Sequence, residues 1–341
     1  MSGGVDSSVA AALLQEAGHD VVGVFMKFWA EAGGQGQNKC CSSESERRAR
    51  GVAKILGIPF YVFNFEKEIK KKIVDSFLKE NRLGVTPNPC VVCNKEIKFG
   101  LLLERADKIK ADFLASGHYA RIKKDGQGMH LLKAKDENKD QSYFLWKLTQ
   151  AQLKHVLFPL EKMTRPEVEK LAVRFALPFA GVRKSMEVCF IPATAADFLK
   201  RHIKTRPGKI VDNQGKIIGR HEGLSLYTVG QRKGMNLGGG PYYVLGKDLK
   251  KNLLFITKNE KDLFKKELVV KSVNWILGKE PKLPLKAMVK IRYRQEPSGA
   301  TITKNKVYRL KFTRPQRAVT PGQSAVFYRG QELLGGGIII K

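Results

Sequence analysis

The feature that most constrains this chain is a glycine-rich segment near its start, SGGVDSS at residues 2–8. Two adjacent glycines let the backbone turn sharply and approach a ligand closely, because they carry no Cβ. The following residues, Val9 to Gly18, are rich in Ala and Leu and predict a helix that ends at the glycine. A glycine-rich turn before a helix offers unpaired N–H groups and the positive end of the helix dipole, so it favours a phosphate ligand.

Residues 2–8, the phosphate loop, lack the Gly-Lys-Ser/Thr of a Walker loop and the spacing Gly-x-Gly-x-x-Gly. They resemble the SGGxDS loop of the ATP pyrophosphatases, which holds the β- and γ-phosphates of ATP while the α-phosphate is attacked. The simpler alternative is a glycine turn that only caps a core helix. A buried strand normally leads into such a loop. Since Met1 already lies in the loop, we expect that strand to be missing, through truncation or a misassigned start.

The pattern after the phosphate loop predicts a doubly wound α/β domain with a parallel sheet. Apolar runs are typical of strands at 20–29, 59–65 and 112–115, and helical spacing is found at 43–56, 67–80 and 97–109. Such alternation means parallel βαβ units, whose ligands lie at the carboxyl ends of the strands. We therefore expect the phosphate loop, Met26 and residues 116–119 to border one crevice.

A chain of 341 residues is too long for one core, and its pattern changes near residue 205. A β-hairpin is predicted at 209–219, and short alternating strands from residue 266 onward suggest a small β-barrel. We expect an ATP-pyrophosphatase domain at 1–205, a small β-rich central domain at 206–265 and a C-terminal β-barrel at 266–341.

Charge is the unusual part of the composition. The net charge is +30, and residues 201–341 alone carry 30 Lys and Arg against nine Asp and Glu. This balance suggests a polyanion partner, most simply nucleic acid, although a merely soluble surface or a lysine-rich genome gives the same excess. No apolar run approaches the roughly 20 residues that span a membrane, and no signal peptide is recognisable, so we expect a cytoplasmic protein without a membrane partner.

The five cysteines, at 40, 41, 90, 93 and 189, are an odd number, which argues against a disulfide framework. In TPNPCVVCNK at 86–95 the prolines stop a helix from propagating, so we expect a helix to begin near Lys95. Cys93 then lies near a helix N-terminus and two lysines, which lowers the pKa of a thiol. A thiol pair at Cys93 and Cys189 over an ATP site suggests sulfur chemistry.

Other interpretations of the cysteines stay open at this point. Cys90-x-x-Cys93 is half of a metal knuckle, and with Cys189 it would hold a metal ion or an iron–sulfur cluster. The third and least favoured interpretation is that the thiols only pack in the core, as cysteines outside disulfides often do. Cys40 and Cys41 have no partner motif, and we interpret them as structural or as a side site.

Six segments, in order over almost the whole chain, together resemble the MnmA/TrmU family of tRNA-specific 2-thiouridylases. They are SGGVDSS at 2–8, TPNPCVVCNKEIKF at 86–99, SGHY at 116–119, KDQSYFL at 139–145, MEVCFI at 186–191 and YTVGQRKG at 227–234. The resemblance implies an ATP-pyrophosphatase domain, a small central domain and a C-terminal β-barrel. It also implies that Mg-ATP adenylates the C2 oxygen of the wobble uridine in a tRNA anticodon, and that a cysteine persulfide supplies the replacing sulfur.

By this resemblance Cys189 carries the persulfide, which a cysteine desulfurase or relay protein supplies, and Cys93 is the second catalytic cysteine, able to form a transient disulfide with Cys189. Asp6 is implied in the adenylation step, and the metal ligands stay unassigned. The positions that match ATP-binding residues are Met1, Ser2, Gly3, Gly4, Val5, Asp6, Ser7, Met26 and Gly117.

The resemblance also implies contacts with tRNA. Asn88, Pro89 and Cys90 match residues around the extruded base, which needs a close-fitting rim. Some family members have an aspartate at the position of Cys90, so the general acid or base role proposed there does not transfer. The other matching positions are His118, Lys139, Asp140, Gln141, Arg292, Tyr293 and Gln323. The alternatives are that His118 is a satisfied strand-end histidine and that residues 139–141 form a solvated turn.

Two other function classes remain. Another ATP pyrophosphatase, such as a tRNA lysidine synthetase or an amidotransferase-type ligase, shares the phosphate loop but does not need Cys93 and Cys189. A non-catalytic RNA-binding protein uses the basic C-terminal half, and its phosphate loop is vestigial.

Overall fold

The computed structural model of this protein describes residues 1–31, 42–178 and 188–341. Cys40, Cys41 and Met186 therefore lie outside the described residues. The first part of the chain contains nine α-helices in these ranges. They are α1 (Val5–Glu16), α2 (Ser43–Leu56), α3 (Glu66–Ile69), α4 (Asp75–Arg82), α5 (Pro89–Cys93), α6 (Leu102–Lys108), α7 (Gln150–Leu153), α8 (Arg165–Arg174) and α9 (Ala195–His202).

Six short strands accompany these helices. They are β1 (Gly23–Lys27), β2 (Phe60–Asn64), β3 (Leu114–Ala115), β4 (Arg121–Asp125), β5 (Gly128–Leu132) and β6 (Val156–Leu157). Strands β1 and β2 form one parallel pair, and β3 and β6 form another, with helices following β1, β2 and β6 in the chain. The predicted α/β class with parallel strands is confirmed, although within the described residues the strands form two ladders and not one continuous sheet.

Two of the helices differ from their sequence-based bounds. Helix α1 begins at Val5, inside the phosphate loop, and not at Val9. Helix α5 begins at Pro89 and continues through a π-helical stretch, Asn94–Leu101, into α6. The expected start near Lys95 is wrong because proline is well tolerated at the first helical position, where its missing N–H would have no partner.

The middle of the chain forms a separate four-stranded sheet in the order β8-β7-β10-β9. Its strands are β7 (Gly208–Val211), β8 (Ile217–His221), β9 (Tyr243–Asp248) and β10 (Leu253–Thr257). The β7–β8 hairpin is as the sequence predicts, but β9 and β10 were not predicted. The Gly-Lys-Asp end of β9 interrupts the hydrophobic pattern, although Val244, Leu254 and Ile256 are fully buried.

The C-terminal part is a closed six-stranded antiparallel barrel, as predicted. Its strands are β11 (Phe264–Trp275), β12 (Leu285–Lys290), β13 (Ser298–Lys304), β14 (Tyr308–Arg317), β15 (Ser324–Arg329) and β16 (Glu332–Ile339). The pairing of β11 with β16 closes the barrel. Strand β13 was not predicted because its sequence, SGATITK, is small and polar except at Ala300 and Ile302, which are buried.

The barrel and the first part of the chain share a core. Strand β5 pairs with β16, so the β4–β5 hairpin extends the barrel sheet. The apolar segment 143–146 is buried against the barrel, where Trp146 Nε1 donates to Ser324 Oγ at 2.9 Å and the Tyr143 hydroxyl donates to the Ser324 carbonyl at 3.0 Å. These contacts fix the barrel beside the N-terminal domain. No helix among the described residues has the length and apolar character needed to cross a membrane.

Candidate active site

The phosphate loop is held by its own hydroxyls and by the start of α2. The hydroxyls of Ser7 and Ser8 donate to the Gly4 carbonyl at 3.0 and 3.1 Å, and the Ser2 N–H donates to the Ser7 hydroxyl at 3.1 Å. Gly3 has a φ of +70°, and a Cβ there would lie 2.3 Å from the Ser45 carbonyl oxygen. Only glycine fits this position, so the second residue of the motif is fixed by close packing.

Gly117 lies directly against the phosphate loop. A Cβ on Gly117 would lie 2.6 Å from the carbonyl carbon of Asp6 and 2.8 Å from the nitrogen of Ser7. The segment after β3 therefore touches the first turn of α1 through bare backbone. This contact is what brings residues 116–119 to the loop, as the sequence predicts.

Asp6 lies in the first turn of α1, where the helix dipole favours a negative charge. Its Oδ1 accepts hydrogen bonds from the Tyr119 hydroxyl at 2.9 Å and from Nη1 of Arg165 at 2.5 Å. Burial and the Asp6 carboxylate raise the pKa of Tyr119, so the phenol keeps its proton and remains a donor. Sequence reasoning missed Arg165, because its contact with Asp6 depends on how α8 packs against α1.

A cavity of about 410 Å³ opens beside the loop, between β1 and β3. Six of the nine predicted ATP-binding residues line it: Met1, Ser2, Asp6, Ser7, Met26 and Gly117. Gly3, Gly4 and Val5, which complete the set, lie in the loop behind them. The expected crevice between the loop, the end of β1 and the segment after β3 is thus confirmed.

Three cysteines from two distant segments line the same cavity. Cys90 and Cys93 come from α5, and Cys189 comes from the segment before α9. Cys189 is placed by its neighbour Phe190, which is fully buried and packs its ring 5.5 Å from that of Phe77 and 5.6 Å from that of Phe198. The phosphate loop and three thiols therefore face one space, an arrangement that suits activation of a substrate followed by attack of sulfur.

Metal binding by these cysteines finds less support. Across residues 1–31, 42–178 and 188–341, no group of three or more Cys, His, Asp or Glu side chains is arranged to hold a metal ion. The three thiols share the cavity wall without forming such a group.

Comparison with protein families accounts for nearly the whole chain. Residues 1–193 match the model of the tRNA methyl transferase HUP domain, residues 196–258 match the tRNA methyl transferase PRC-barrel domain, and residues 265–339 match the aminomethyltransferase beta-barrel domain. A protein of Geobacter metallireducens named tRNA-specific 2-thiouridylase MnmA is 45% identical, over 99% of this chain and 95% of its own length. Proteins of the same name from Streptococcus sanguinis and Listeria monocytogenes are 43% and 42% identical, each over 99% of this chain and 93% of its own length.

This chain belongs to the MnmA family of tRNA-specific 2-thiouridylases. Its three domains are those of the family: a HUP domain, a PRC-barrel domain and a β-barrel.

His118 is one of the positions implied for tRNA contact in the MnmA family, and it lines the cavity. Burial, aided by the charge of Lys98, holds the pKa of His118 well below its usual value, so the ring is neutral. Its Nδ1 is hydrogen-bonded to the Ser116 hydroxyl, and its ring packs against Phe99 and Phe158. His118 is therefore a neutral histidine with a hydrogen-bond partner, as the alternative interpretation holds, and its ring also faces the cavity.

The remaining MnmA-type positions for tRNA contact fall into two groups. Pro89, Cys90 and Gln141 line the cavity, and Tyr293 stands at its edge with its ring centroid 4.5 Å from that of Phe144, a lining residue. Asn88 is the N-cap residue of α5, without a side-chain capping bond, and it lines a smaller space of about 50 Å³. Lys139 is half-buried in the turn that precedes Asp140. These side chains are available near the site, and their tRNA contacts stay predictions.

Asp140, Arg292 and Gln323 instead use their side chains within the protein. The Asp140 carboxylate is buried and accepts from the N–H groups of Ala134 and Ser142 at 3.1 Å each. Nη2 of Arg292 donates to the carbonyls of Val229 and Ala318 and to the Thr320 hydroxyl, at 2.9, 3.1 and 2.7 Å. Both residues brace the fold around the site, and residues 139–141 are not simply a solvated turn.

Gln323 braces the segment at residues 86–93, the cysteine loop. Its Nε2 donates to the carbonyls of Thr86 and Pro87 at 2.9 and 3.3 Å. The Thr86 N–H donates to the Pro321 carbonyl at 3.0 Å, and the Thr86 hydroxyl is 3.1 Å from that of Thr228 in the central domain. All three domains meet at Thr86, three residues before the helix that carries Cys90 and Cys93.

Proposed function

We propose that this protein is an ATP-dependent tRNA 2-thiouridylase, which adenylates the C2 oxygen of the wobble uridine in tRNA anticodons and replaces it with sulfur. The observation that carries the proposal is the single cavity of about 410 Å³ lined by the phosphate loop and by Cys90, Cys93 and Cys189. The family model that matches residues 1–193 is described as a tRNA methyl transferase domain. A phosphate loop beside paired thiols, however, is the arrangement that thiolation requires and methyl transfer does not.

The phosphate loop would take the β- and γ-phosphates of ATP at the N-terminus of α1, where backbone N–H groups and the helix dipole favour anions. The residues present fit a magnesium ion, because Asp6 and Ser7 bring oxygen donors to the cavity wall. Magnesium would neutralise the phosphates. The C2 oxygen of uracil is a poor leaving group, and its attack on the α-phosphate makes it part of AMP while pyrophosphate leaves.

In the sulfur-transfer stage, Cys189 would carry the sulfur as a persulfide and Cys93 would release it to the base. The terminal sulfur of a persulfide on Cys189 attacks C2, and AMP leaves with the former C2 oxygen. The Cys93 thiolate attacks Sγ of Cys189 and breaks the bond to the transferred sulfur, whose electron pair stays with the product. The result is 2-thiouridine and a Cys93–Cys189 disulfide, which an external reductant must supply two electrons to open.

Cys93 is only 6% exposed, and it lies in the wall of the cavity into which the base would be extruded. We assign Asn88, Pro89 and Cys90 to the base, and His118, Lys139, Asp140, Gln141, Arg292, Tyr293 and Gln323 to tRNA contact or to bracing of the contacting surface. The excess of positive charge in residues 201–341 supports a tRNA partner.

Further parts of the proposal follow from the reaction. A persulfide-carrying donor protein, a cysteine desulfurase or a relay protein, would load Cys189. The tRNA substrate and the cysteine thiols favour a cytoplasmic location.

An iron–sulfur cluster on Cys90, Cys93 and Cys189 remains the minority alternative, which absorbance of anaerobically purified protein tests. We propose domain limits at 1–205, 206–265 and 266–341; the matched family models leave their boundaries at 193–196 and 258–265.

Mass spectrometry of tRNA incubated with the protein, Mg-ATP and a persulfide donor tests the function. We expect a wobble nucleoside in which sulfur replaces oxygen, and no such product with Cys189→Ser. Adenylation without thiolation in the unmodified protein would favour another ATP pyrophosphatase. Absence of tRNA-dependent ATP–pyrophosphate exchange would leave only an RNA-binding role.

A further inference from the structure

A network of polar side chains on α8 reaches the phosphate loop from outside the cavity. Arg165 is the first residue of α8, whose N-terminus is closed by a capping box between Thr164 and Glu167. The Arg165 N–H donates to the Asp136 carboxylate at 2.9 Å, and its Nε donates to that of Glu169 at 2.7 Å. Arg165 is therefore held both by its backbone and by one edge of its guanidinium group.

The other edge of the guanidinium group meets Asp6. Nη1 of Arg165 donates to Oδ1 of Asp6 at 2.5 Å, and the Tyr119 hydroxyl donates to the same oxygen at 2.9 Å. The Arg165 side chain is 15% exposed, whereas that of Asp6 is 38% exposed at the cavity wall. Two donors on one oxygen fix the rotation of the carboxylate, and bonds between charged groups in a partly buried setting are strong.

We propose that Arg165 is a positioning residue for adenylation, which holds the Asp6 carboxylate in the orientation that receives the magnesium ion of Mg-ATP. This inference rests on the proposed role of Asp6 in binding Mg-ATP. Arg165 itself does not line the cavity, so it acts through Asp6 and not by contact with the nucleotide. Tyr119 is its partner in this role.

A second ion pair between the same two helices provides a matched control. Arg174, at the end of α8, pairs with Glu16 at the end of α1, and both side chains are about half exposed. Like Arg165, Arg174 joins α8 to α1 through a carboxylate. It lies at the opposite end of both helices from Asp6, so it tests the attachment of the helices without touching the phosphate loop.

The experiment compares Arg165→Gln with Arg174→Gln in the full chain. Mg-ATP binding is measured by calorimetry, and tRNA-dependent ATP–pyrophosphate exchange is measured as a function of magnesium concentration. For Arg165→Gln we expect the Kd of Mg-ATP and the magnesium concentration for half-maximal exchange to rise by roughly 10- to 100-fold, as for other residues that orient a metal ligand. Arg174→Gln should leave both quantities unchanged, and Arg165→Lys should recover part of the loss.

Equal Mg-ATP binding in Arg165→Gln and Arg174→Gln would overturn the proposal, because Arg165 would then only join two helices. If Arg165→Gln does not fold, Tyr119→Phe removes the other donor to the same oxygen. We expect it to weaken Mg-ATP binding by a smaller factor, and unchanged binding in both Tyr119→Phe and Arg165→Lys would equally refute the assignment.

The Asp6→Asn variant separates this proposal from the function on which it rests. Adding Arg165→Gln to Asp6→Asn should weaken Mg-ATP binding no further, because the residue through which Arg165 acts has already been changed. A full additional loss would show that Arg165 works by another route. Wild-type binding in Asp6→Asn alone would instead show that the role assigned to Asp6 is wrong.

Discussion

The phosphate loop at residues 2–8 and the cysteine loop at residues 86–93 line one cavity, but they are held there differently. The phosphate loop is bonded by its own serines, packed against α2 and Gly117, and bonded through Asp6 to Arg165, all within the N-terminal domain. The cysteine loop is held by Pro321 and Gln323 of the barrel and by Thr228 of the central domain. One half of the site is therefore local, and the other half depends on how three domains assemble.

In the proposed reaction, the phosphate loop serves adenylation and the cysteine loop serves sulfur transfer. The two stages would therefore depend on different sets of contacts. The contacts that hold the phosphate loop all come from the N-terminal domain. Correct placement of Cys90 and Cys93 requires the barrel as well, since the Gln323 side chain and the Pro321 carbonyl bond directly to the loop. We expect changes at the barrel contact to impair sulfur transfer while ATP binding is preserved.

The largest effect should come from changing one side chain in each loop. Asp6→Ala should lower tRNA-dependent ATP–pyrophosphate exchange by roughly 100- to 1,000-fold, the range for removing a group that stabilises charge in the transition state. Cys93→Ser should leave ATP binding and exchange intact but stop release of sulfur to tRNA, because the serine hydroxyl cannot attack Sγ of Cys189 and break its bond to the transferred sulfur. Exchange and mass spectrometry of the tRNA measure both, and normal thiolation by Cys93→Ser would refute the role of Cys93.

The next largest effect should come from Gly322→Ala in the barrel. Gly322 has a φ of +92°, and its Cβ would lie 2.7 Å from the Thr86 carbonyl oxygen. Backbone strain and overpacking together should lower the free energy of unfolding by about 2–4 kcal/mol. Thiolation should slow while the Kd of ATP stays unchanged.

Gly330→Ala is the control for this change, because Gly330 also has a positive φ, +56°, but has open space around its Cβ position. It should lose only about 1 kcal/mol. Equal losses in denaturant unfolding of the two variants would contradict the close contact between the barrel and the cysteine loop.

A smaller effect is expected for Gln323→Ala, which removes the two hydrogen bonds to the carbonyls of Thr86 and Pro87. The loss should be about 1–2 kcal/mol in the free energy of unfolding, because the carbonyls lose their donor. If Gln323 braces the cysteine loop, the rate of thiolation falls and the Kd of tRNA is unchanged. A weaker tRNA affinity with an unchanged rate would instead favour direct tRNA contact, as the family resemblance implies.

The smallest effect concerns pH at the contact between the β4–β5 hairpin and the barrel. His130 lies 2.6 Å from the Glu332 carboxylate and 2.9 Å from that of Asp125. Burial lowers the pKa of His130, but the two carboxylates outweigh it, so the net pKa is raised above the usual 6.5. The stability that protonated His130 contributes is complete below about pH 6.5 and is lost as the pH rises through the raised pKa. His130→Gln should flatten this part of the profile of Tm against pH, and an unchanged profile would contradict the assignment.

The sequence predicted the elements whose signals are local. The bounds of α2, which ends at the left-handed Gly57, and the crevice beside the phosphate loop both follow from helical spacing and glycine chemistry. The contacts of Asp6 with Arg165 and of Thr86 with Gln323 join residues more than 150 positions apart. No periodicity or capping rule relates such residues, because the packing of whole domains brings them together.

Strand β5 has a consequence for anyone who cuts this protein into pieces. One edge of β5 pairs with β16, with Leu131 opposite Leu333, and Trp146 is covered by the barrel. A fragment ending before the barrel would bare that edge together with an apolar face, and unpaired strand edges recruit one another into aggregates. We therefore expect the N-terminal domain to aggregate when it is expressed without the barrel, and the full-length chain to stay soluble.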